Sequence, residues 1–448
     1  MKNLSRRQFL EAAGLTAAAA ALTACGGSSS SAPAASSAAA SSAASSAAAP
    51  TTGDGAPDLS GYKLCIGEVK TDDQAQIRSE YFNDYIHSRY GTEFMITEKI
   101  EDGDAEMTNI ENAAMAGCDV FVSYQNQFML AACQKAQSEG IMYCANSVPN
   151  AGGAPDCINA NLPNYIGCFG QNQPGTGALI RDYLAANASD DGSEGFLFIT
   201  GIASRNNQQH TQVTLQALQA LTDLYGLEFD AIKNGTYADL TALAQTDQPG
   251  EYTNNKGINI YILPGLWSAD TWLPTLSPAL QSGKYGWIIS CDAAFTACAQ
   301  LMQDVESSMG MNIRFVCVSP INDTLVSTLN TIDPSGNPTI DFVACGLDTM
   351  NNASAYALVM NSLTGHQDQM RTSDGKMGSI LSPRIGISSS EELAQLAEWD
   401  MLATKKWAGS YAYVDAQLCA VHPELTIADM QAFVDKAISV DVLHEMED

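Results

Sequence analysis

From residue 60 onward, short apolar runs alternate with segments whose apolar residues recur at helical spacing. Tyr62–Val69 predicts a strand. Asp73–Arg89 predicts a helix with Ile77, Tyr81, Phe82, Tyr85 and Ile86 on one face. The same alternation predicts strands at Phe94–Ile100, Val120–Tyr124, Ile141–Asn146 and Tyr165–Phe169, with helices at Asp104–Ala116 and Phe128–Glu139. It restarts with a strand at Gly195–Thr200 and a helix from Gln208 to Tyr225. Further strands are predicted at Leu227–Ile232, Ile258–Leu263, Trp287–Ser290, Ile313–Val318, Ile340–Ala344 and Leu381–Ile387. A late helix over Asn351–Leu363 stops at Gly365, and the tail from Glu391 reads as mostly helical.

Strand–helix alternation at this spacing predicts parallel sheets covered on both faces. The expected fold is α/β, with two doubly wound, Rossmann-like parallel-sheet lobes in tandem. Residues 59–169 with 346–380 form the expected N-terminal lobe; residues 170–345 with 381–448 form the C-terminal lobe and its helical tail. Three interlobe segments, near Phe169, Cys345 and Ser382, act as the hinge. Ligands of such sheets bind beyond the carboxyl ends of the strands. Two sheets facing each other bring those ends around one cleft.

The first 58 residues change the picture. Lys2, Arg6 and Arg7 precede a mostly apolar run from Leu10 to Ala24. That run is too short and too alanine-rich to span a bilayer, so residues 1–24 read as a signal peptide. Ser5-Arg6-Arg7-Gln8-Phe9-Leu10 resembles the twin-arginine export motif, with Glu11 where a lysine is usual; twin arginines also occur in ordinary secretory leaders. Leu22-Thr23-Ala24-Cys25 resembles the bacterial lipobox, which implies cleavage before Cys25 and its lipidation. Gly26–Pro57 is almost only Ser, Ala, Gly and Pro and cannot bury enough apolar surface to fold. Residues 25–58 are therefore expected to be a lipidated cysteine and a disordered linker, holding the folded part at the outer face of the cell membrane.

The formal charge of the 448-residue chain is −29. The segment before Cys25 holds three basic residues and one acidic, leaving 18 basic, 49 acidic and −31 for the remainder. Nucleic acid would repel such a surface, and no basic patch is visible. Eleven cysteines follow Cys25 with no C-x-x-C pair, several inside apolar runs such as "KLCIG" and "FVCVS". Most are expected to be free and buried, packing as small hydrophobes. No HExxH, P-loop or nucleophile elbow occurs, and the five histidines are scattered. No catalytic residue, metal or cofactor is expected. Cys291 at a strand end is a conceivable nucleophile, but no histidine is near it in sequence.

Four stretches carry a family resemblance. "FGQNQPGTGALIRDYL" (Phe169–Leu184) resembles the first crossover of the type I periplasmic-binding-protein family, the solute receptors of bacterial ABC importers. "GFLFITGIASRNNQQHTQVTLQALQAL" resembles the opening strand, polar loop and helix of the family's second lobe. "TIDFVACGLDTMNNASAYALVMNSLTGH" resembles its returning strand and helix, and "ILSPRIGISSSEEL" its third crossover. The order of elements matches over residues 60–400, on the sugar-binding branch. Asn172 stands where the family's crossover usually has Asp. A strand–helix unit around Ile258–Ser282 and the tail after Trp399 are additional.

The resemblance implies a monomeric solute-binding lipoprotein that hands a small polar ligand, a sugar or else a nucleoside, to an ABC importer permease. The alternative role of the same fold is ligand presentation to a membrane sensor. Candidate ligand contacts are polar or aromatic side chains just past strand ends: Tyr124, Gln125, Asn126, Asn146, Gln171, Asn172, Arg205, Asn206, Trp267 and Asp292. Amides, carboxylates and arginine pair with hydroxyls, and an aromatic face covers an apolar sugar face. Lys70, Asp72, Asp73, Gln127, Ser147, Ser319, Asp348 and Asn351 occupy similar positions. Asp72, Asp73 and Asn351 equally suit helix N-caps.

Overall fold

A computed structural model describes residues 55–447, apart from 126–127, 148–156, 158–160, 202–207, 266, 268, 330 and 334–335. The signal segment, Cys25 and nearly all of the linker lie outside the described residues.

The first sheet has six strands: β1 (Lys63–Gly67), β2 (Glu93–Ile96), β3 (Val120–Ser123), β4 (Met142–Asn146), β5 (Tyr165–Gln171) and β12 (Ser379–Ser382). Their order is β12-β5-β4-β3-β1-β2, and every pair is parallel. The second sheet holds β6 (Phe196–Gly201), β7 (Gly250–Glu251), β8 (Ile260–Pro264), β9 (Trp287–Ser290), β10 (Arg314–Pro320), β11 (Phe342–Gly346) and β13 (Ile385–Ile387). Its order is β13-β11-β10-β9-β6-β8-β7, antiparallel only at the edge strands β13 and β7. β3, β5, β6, β9 and β11 are buried along their whole length, as a parallel sheet covered on both faces requires. In β6 the side chains alternate between two cores: Phe196 and Phe198 on one face, Leu197 and Ile199 on the other.

The helices start and stop where their caps dictate. Asp102 accepts from the amide of Ala105 at 2.8 Å and opens the Gly103–Met115 helix. Gly140, at φ 73°, ends the Met129–Glu139 helix in the left-handed conformation that glycine adopts without strain. All eleven cysteines after Cys25 are free and buried. No helix among the described residues is long and apolar enough to cross a membrane.

Three local expectations need correction. Leu227–Ile232 is not a strand: Phe229 makes an isolated antiparallel bridge to Asn254, and Asp230–Lys233 is a short helix. Leu381–Ile387 is two strands in different sheets, because Pro383 lacks the N–H that would continue one ladder. The tail is not part of the second lobe. After the Ser390–Leu396 helix, which lies against the Asp323–Leu329 helix of that lobe, the chain crosses back. Asp400 then accepts from the amides of Thr349 (2.8 Å) and Ala408 (3.0 Å). Tyr411 stacks on Tyr85 with ring centroids 3.9 Å apart, and Asp415 accepts from Arg89 and Tyr90, each at 2.7 Å. Gln431 pairs with the backbone of Leu381 in β12. Residues 400–447 thus pack on the first sheet's lobe. Their passage at 396–400 adds a fourth crossing to the three expected.

Candidate functional site

Gln171 at the end of β5 meets Gly346 at the end of β11, and Lys70 past β1 acts on the charge of Asp292 past β9, so the side chains at these strand ends define the candidate cleft. Gln171 ends β5. Its side chain lies against Gly346 at the end of β11, where a Cβ would stand 3.4 Å from its Nε2. Its buried Oε1 has no partner among the described residues. Gln125 is buried just past β3, where its amide donates to Ser123 Oγ at 3.2 Å. Asn146 ends β4 and is half-buried. Asn172 serves its own helix. Its Oδ1 accepts from the amide of Gly175 at 3.0 Å and caps the Gln173–Asn187 segment. Asp72 caps the Asp73–Glu80 helix in the same way, at 3.1 Å from the amide of Gln74.

Tyr124 turns inward. Its hydroxyl donates to Asn352 Oδ1, and the Arg78 guanidinium covers its ring at 3.8 Å from the centroid. Arg78 in turn pairs with Glu68 and lies 4.0 Å from Asp348 Oδ2. Glu68 Oε1 also accepts the amides of Val69 (2.8 Å) and Lys70 (2.9 Å). Glu68, Arg78, Tyr124, Asp348 and Asn352 therefore form one network under the end of β1. Tyr124 thus commits its hydroxyl to Asn352 and one ring face to Arg78.

On the opposite wall, Asp292 follows β9, with its Oδ1 2.8 Å from the amide of Ala293 and its Oδ2 3.4 Å from His210 Nε2. Burial alone would raise its pKa, but His210 and Lys70 hold it below the ordinary carboxylate value. His210 reaches this position because Gly201, at φ 56°, ends β6. A Cβ there would meet His210 Nδ1 at 2.6 Å and Cys291 Sγ at 3.1 Å. Trp267 is half-buried, its ring 6.4 Å from that of His210. Asn126, Arg205 and Asn206 lie outside the described residues.

Arg384 was not expected. It sits in the crossover between β12 and β13 and is almost fully buried. Its Nη1 donates to Gln173 Oε1 at 2.9 Å and Thr176 Oγ1 at 2.5 Å. Burial pulls its pKa down to about 10 against the pull of Asp292, Cys345 and Asp348. It is the lone basic residue of "ILSPRIGISSSEEL", which was the available signal. His210 gave none, standing some 80 residues from its partner Asp292. Arg78 announced itself only as a charge on the same helical face as Ile77 and Tyr81.

Below β3, Glu106 is a fully buried carboxylate. Its Oε1 accepts from Ser123 Oγ at 2.5 Å, with Tyr143 at 3.4 Å, and its Oε2 has no partner among the described residues. Burial pushes its pKa up to about 7, against the pull of Ser123 and Tyr143. No cluster of three or more metal-ligating side chains occurs among the described residues.

Residues 3–23 match the family model of the TAT (twin-arginine translocation) pathway signal sequence, so the chain carries an export signal. No curated protein matches the sequence. Among solved structures, the chain is similar to an ABC transporter solute-binding protein from Bacillus halodurans solved with bound myo-inositol. The identity is 10%, the TM-score 0.50, and the match covers 75% of this chain and 96% of that one. It is also similar to a putative LacI transcriptional regulator from Bacteroides fragilis, at 11% identity and TM-score 0.49 over 74% and 98%. A periplasmic solute-binding protein from Actinobacillus succinogenes with bound D-allose matches at 12% and 0.49 over 74% and 99%. Two parallel-sheet lobes, their strand ends opposed across the crossovers, and the Bacillus halodurans match together give this chain the type I periplasmic-binding-protein fold.

Proposed function

We propose that this chain is an exported, membrane-tethered solute-binding protein that takes up a small polar ligand between its lobes and delivers it to an ABC importer permease. The observation that supports the reading is the proximity of Gln171 to Gly346, and of Asp292 to His210, Trp267 and Arg384, at the strand ends. Donors and acceptors from both walls, with one half-buried indole, suit a polyhydroxylated molecule. A sugar is the first ligand to test, in keeping with the myo-inositol of the Bacillus halodurans protein. A nucleoside is the second, because Trp267 beside His210 offers a stacking face. The protein acts as a binder, not a catalyst, and as a monomer. Asn126, Arg205 and Asn206 remain proposed contacts.

Ligand that touches both walls binds the closed form better and shifts the lobes toward it. It must also stabilise the fold, by about 2.7 kcal/mol at 100 times its Kd. A thermal-shift screen of sugars, nucleosides and amino acids on the mature protein should therefore give a sugar hit that Trp267→Ala weakens. A hit confined to amino acids would overturn the sugar assignment. No hit in any class would count against a binding cleft here.

Tethering rests on Leu22-Thr23-Ala24-Cys25. Two acyl chains on Cys25 suffice for stable anchoring. Cys25→Ala should move the exported protein from the membrane to the soluble fraction. Unchanged fractionation and N-terminal mass would remove the lipid anchor from the proposal.

A further inference from the structure

The guanidinium of Arg384 is built for more than holding its neighbours. β13 pairs with β11 in antiparallel register, Ile385 opposite Cys345, so Arg384 stands level with Gly346 at the cleft edge of the second sheet. Gln171 packs against that same glycine from the first sheet. Both acceptors of Arg384, Gln173 Oε1 and Thr176 Oγ1, are neutral and both lie on Nη1. Its Nε and Nη2 have no acceptor among the described residues, and neither atom is sealed from its surroundings. The side chain is nonetheless only 9% exposed. A buried positive charge without an ion pair is costly, and the Nε–Nη2 edge is the one that grips a carboxylate or phosphate with two parallel hydrogen bonds.

The nearby carboxylates are engaged elsewhere. Asp292 is held by His210 and the amide of Ala293, and Asp348 faces Arg78. Lys70, across the cleft, adds a second positive charge within reach of Asp292. An incoming anion therefore finds one buried, forked donor that no carboxylate touches by hydrogen bond, although Asp292 and Asp348 act on its charge from a distance.

We propose that Arg384 docks an anionic group of the ligand through Nε and Nη2, so that the cleft selects an acidic sugar, such as a hexuronate, over the corresponding neutral hexose. This rests on the reading of the cleft as a sugar site. A carboxylate and a phosphoryl group share the required pair of charged oxygens, so both are tested.

The experiment is calorimetric titration of the mature protein with matched probes: D-galactose against D-galacturonate, D-glucose against D-glucuronate, and D-glucose 6-phosphate. At least one acid should bind about 30-fold or more tighter than its neutral partner, and Arg384→Gln should abolish that preference. Arg384→Lys keeps the charge without the fork and should retain only part of the preference. It also serves as the test if Arg384→Gln fails to fold. A preference for the phosphate ester identifies the anion as phosphoryl and supports the same dock. Neutral hexoses binding as well as or better than every acid would overturn this inference and leave the sugar site standing. Silence from acids and hexoses alike would overturn both.

Discussion

Arg78→Met should cost roughly 3–5 kcal/mol of stability, because it strands the buried Glu68 carboxylate without its counter-ion. The guanidinium also covers the Tyr124 ring, so the substitution removes a cation–π contact as well as a charge pair. Glu68 cannot move to water, since its Oε1 is tied to the amides of Val69 and Lys70. The double variant Arg78→Met/Glu68→Gln keeps those amide bonds through the glutamine oxygen and removes the stranded charge. It should recover about half or more of the loss, since pairing one variant with the other separates a bare charge from lost packing. Urea denaturation of the single and double variants measures this. An Arg78→Met protein within about 1 kcal/mol of wild type would show that water or another cation reaches Glu68, and that the network under the end of β1 does not depend on this ion pair.

This network also shows what the sequence made legible and what it did not. The strands were legible because a strand buried on both faces must be apolar throughout, as "VFVS" and "FVACG" are. The boundary between β12 and β13 was obscured because Ser382-Pro383-Arg384 lies between two apolar runs that look continuous, although they belong to different sheets. The tail's allegiance was not legible at all. It is decided by pairs such as Tyr85–Tyr411 and Arg89–Asp415, more than 300 residues apart, which no local pattern encodes. Among the candidate site residues, Gln125, Gln171, Asp292 and Trp267 stand at or just past strand ends, where the alternation in the sequence puts them. The same rule cannot tell a ligand contact from a cap, and Asn172 proved to cap its helix. Nor can it see partners supplied by distant elements: Tyr124 is consumed by Arg78 and Asn352, while His210 and Arg384 join the site from other elements.

Relative to Glu106→Gln, the wild-type protein should lose about 3 kcal/mol of stability as the pH rises from about 4.5 to 8. The carboxyl is fully buried, and its pKa stands at about 7 in the folded chain, above the ordinary glutamate value of 4.5. The folded state therefore holds the proton that the unfolded state releases. The stabilisation is complete below the unfolded pKa, declines through the interval between the two values, and is gone above the folded one. Glu306, Asp341 and Asp400 are raised in the same sense by burial, so the wild-type curve alone would mix several groups. The glutamine variant carries no titrating group at position 106 and cancels the others. The geometry also says where the proton acts. Ser123 has one hydroxyl proton but two acceptors within reach, Glu106 Oε1 at 2.5 Å and the Gln125 carbonyl at 2.9 Å. When Glu106 is ionised, Ser123 donates to it rather than to the Gln125 carbonyl. When Glu106 is protonated, it donates to Ser123 and frees that hydroxyl for Gln125. Urea unfolding of both proteins at pH 5, 6, 7 and 8 gives the difference curve directly. A flat difference would mean that Glu106 stays ionised in the fold and that Ser123 belongs to it throughout.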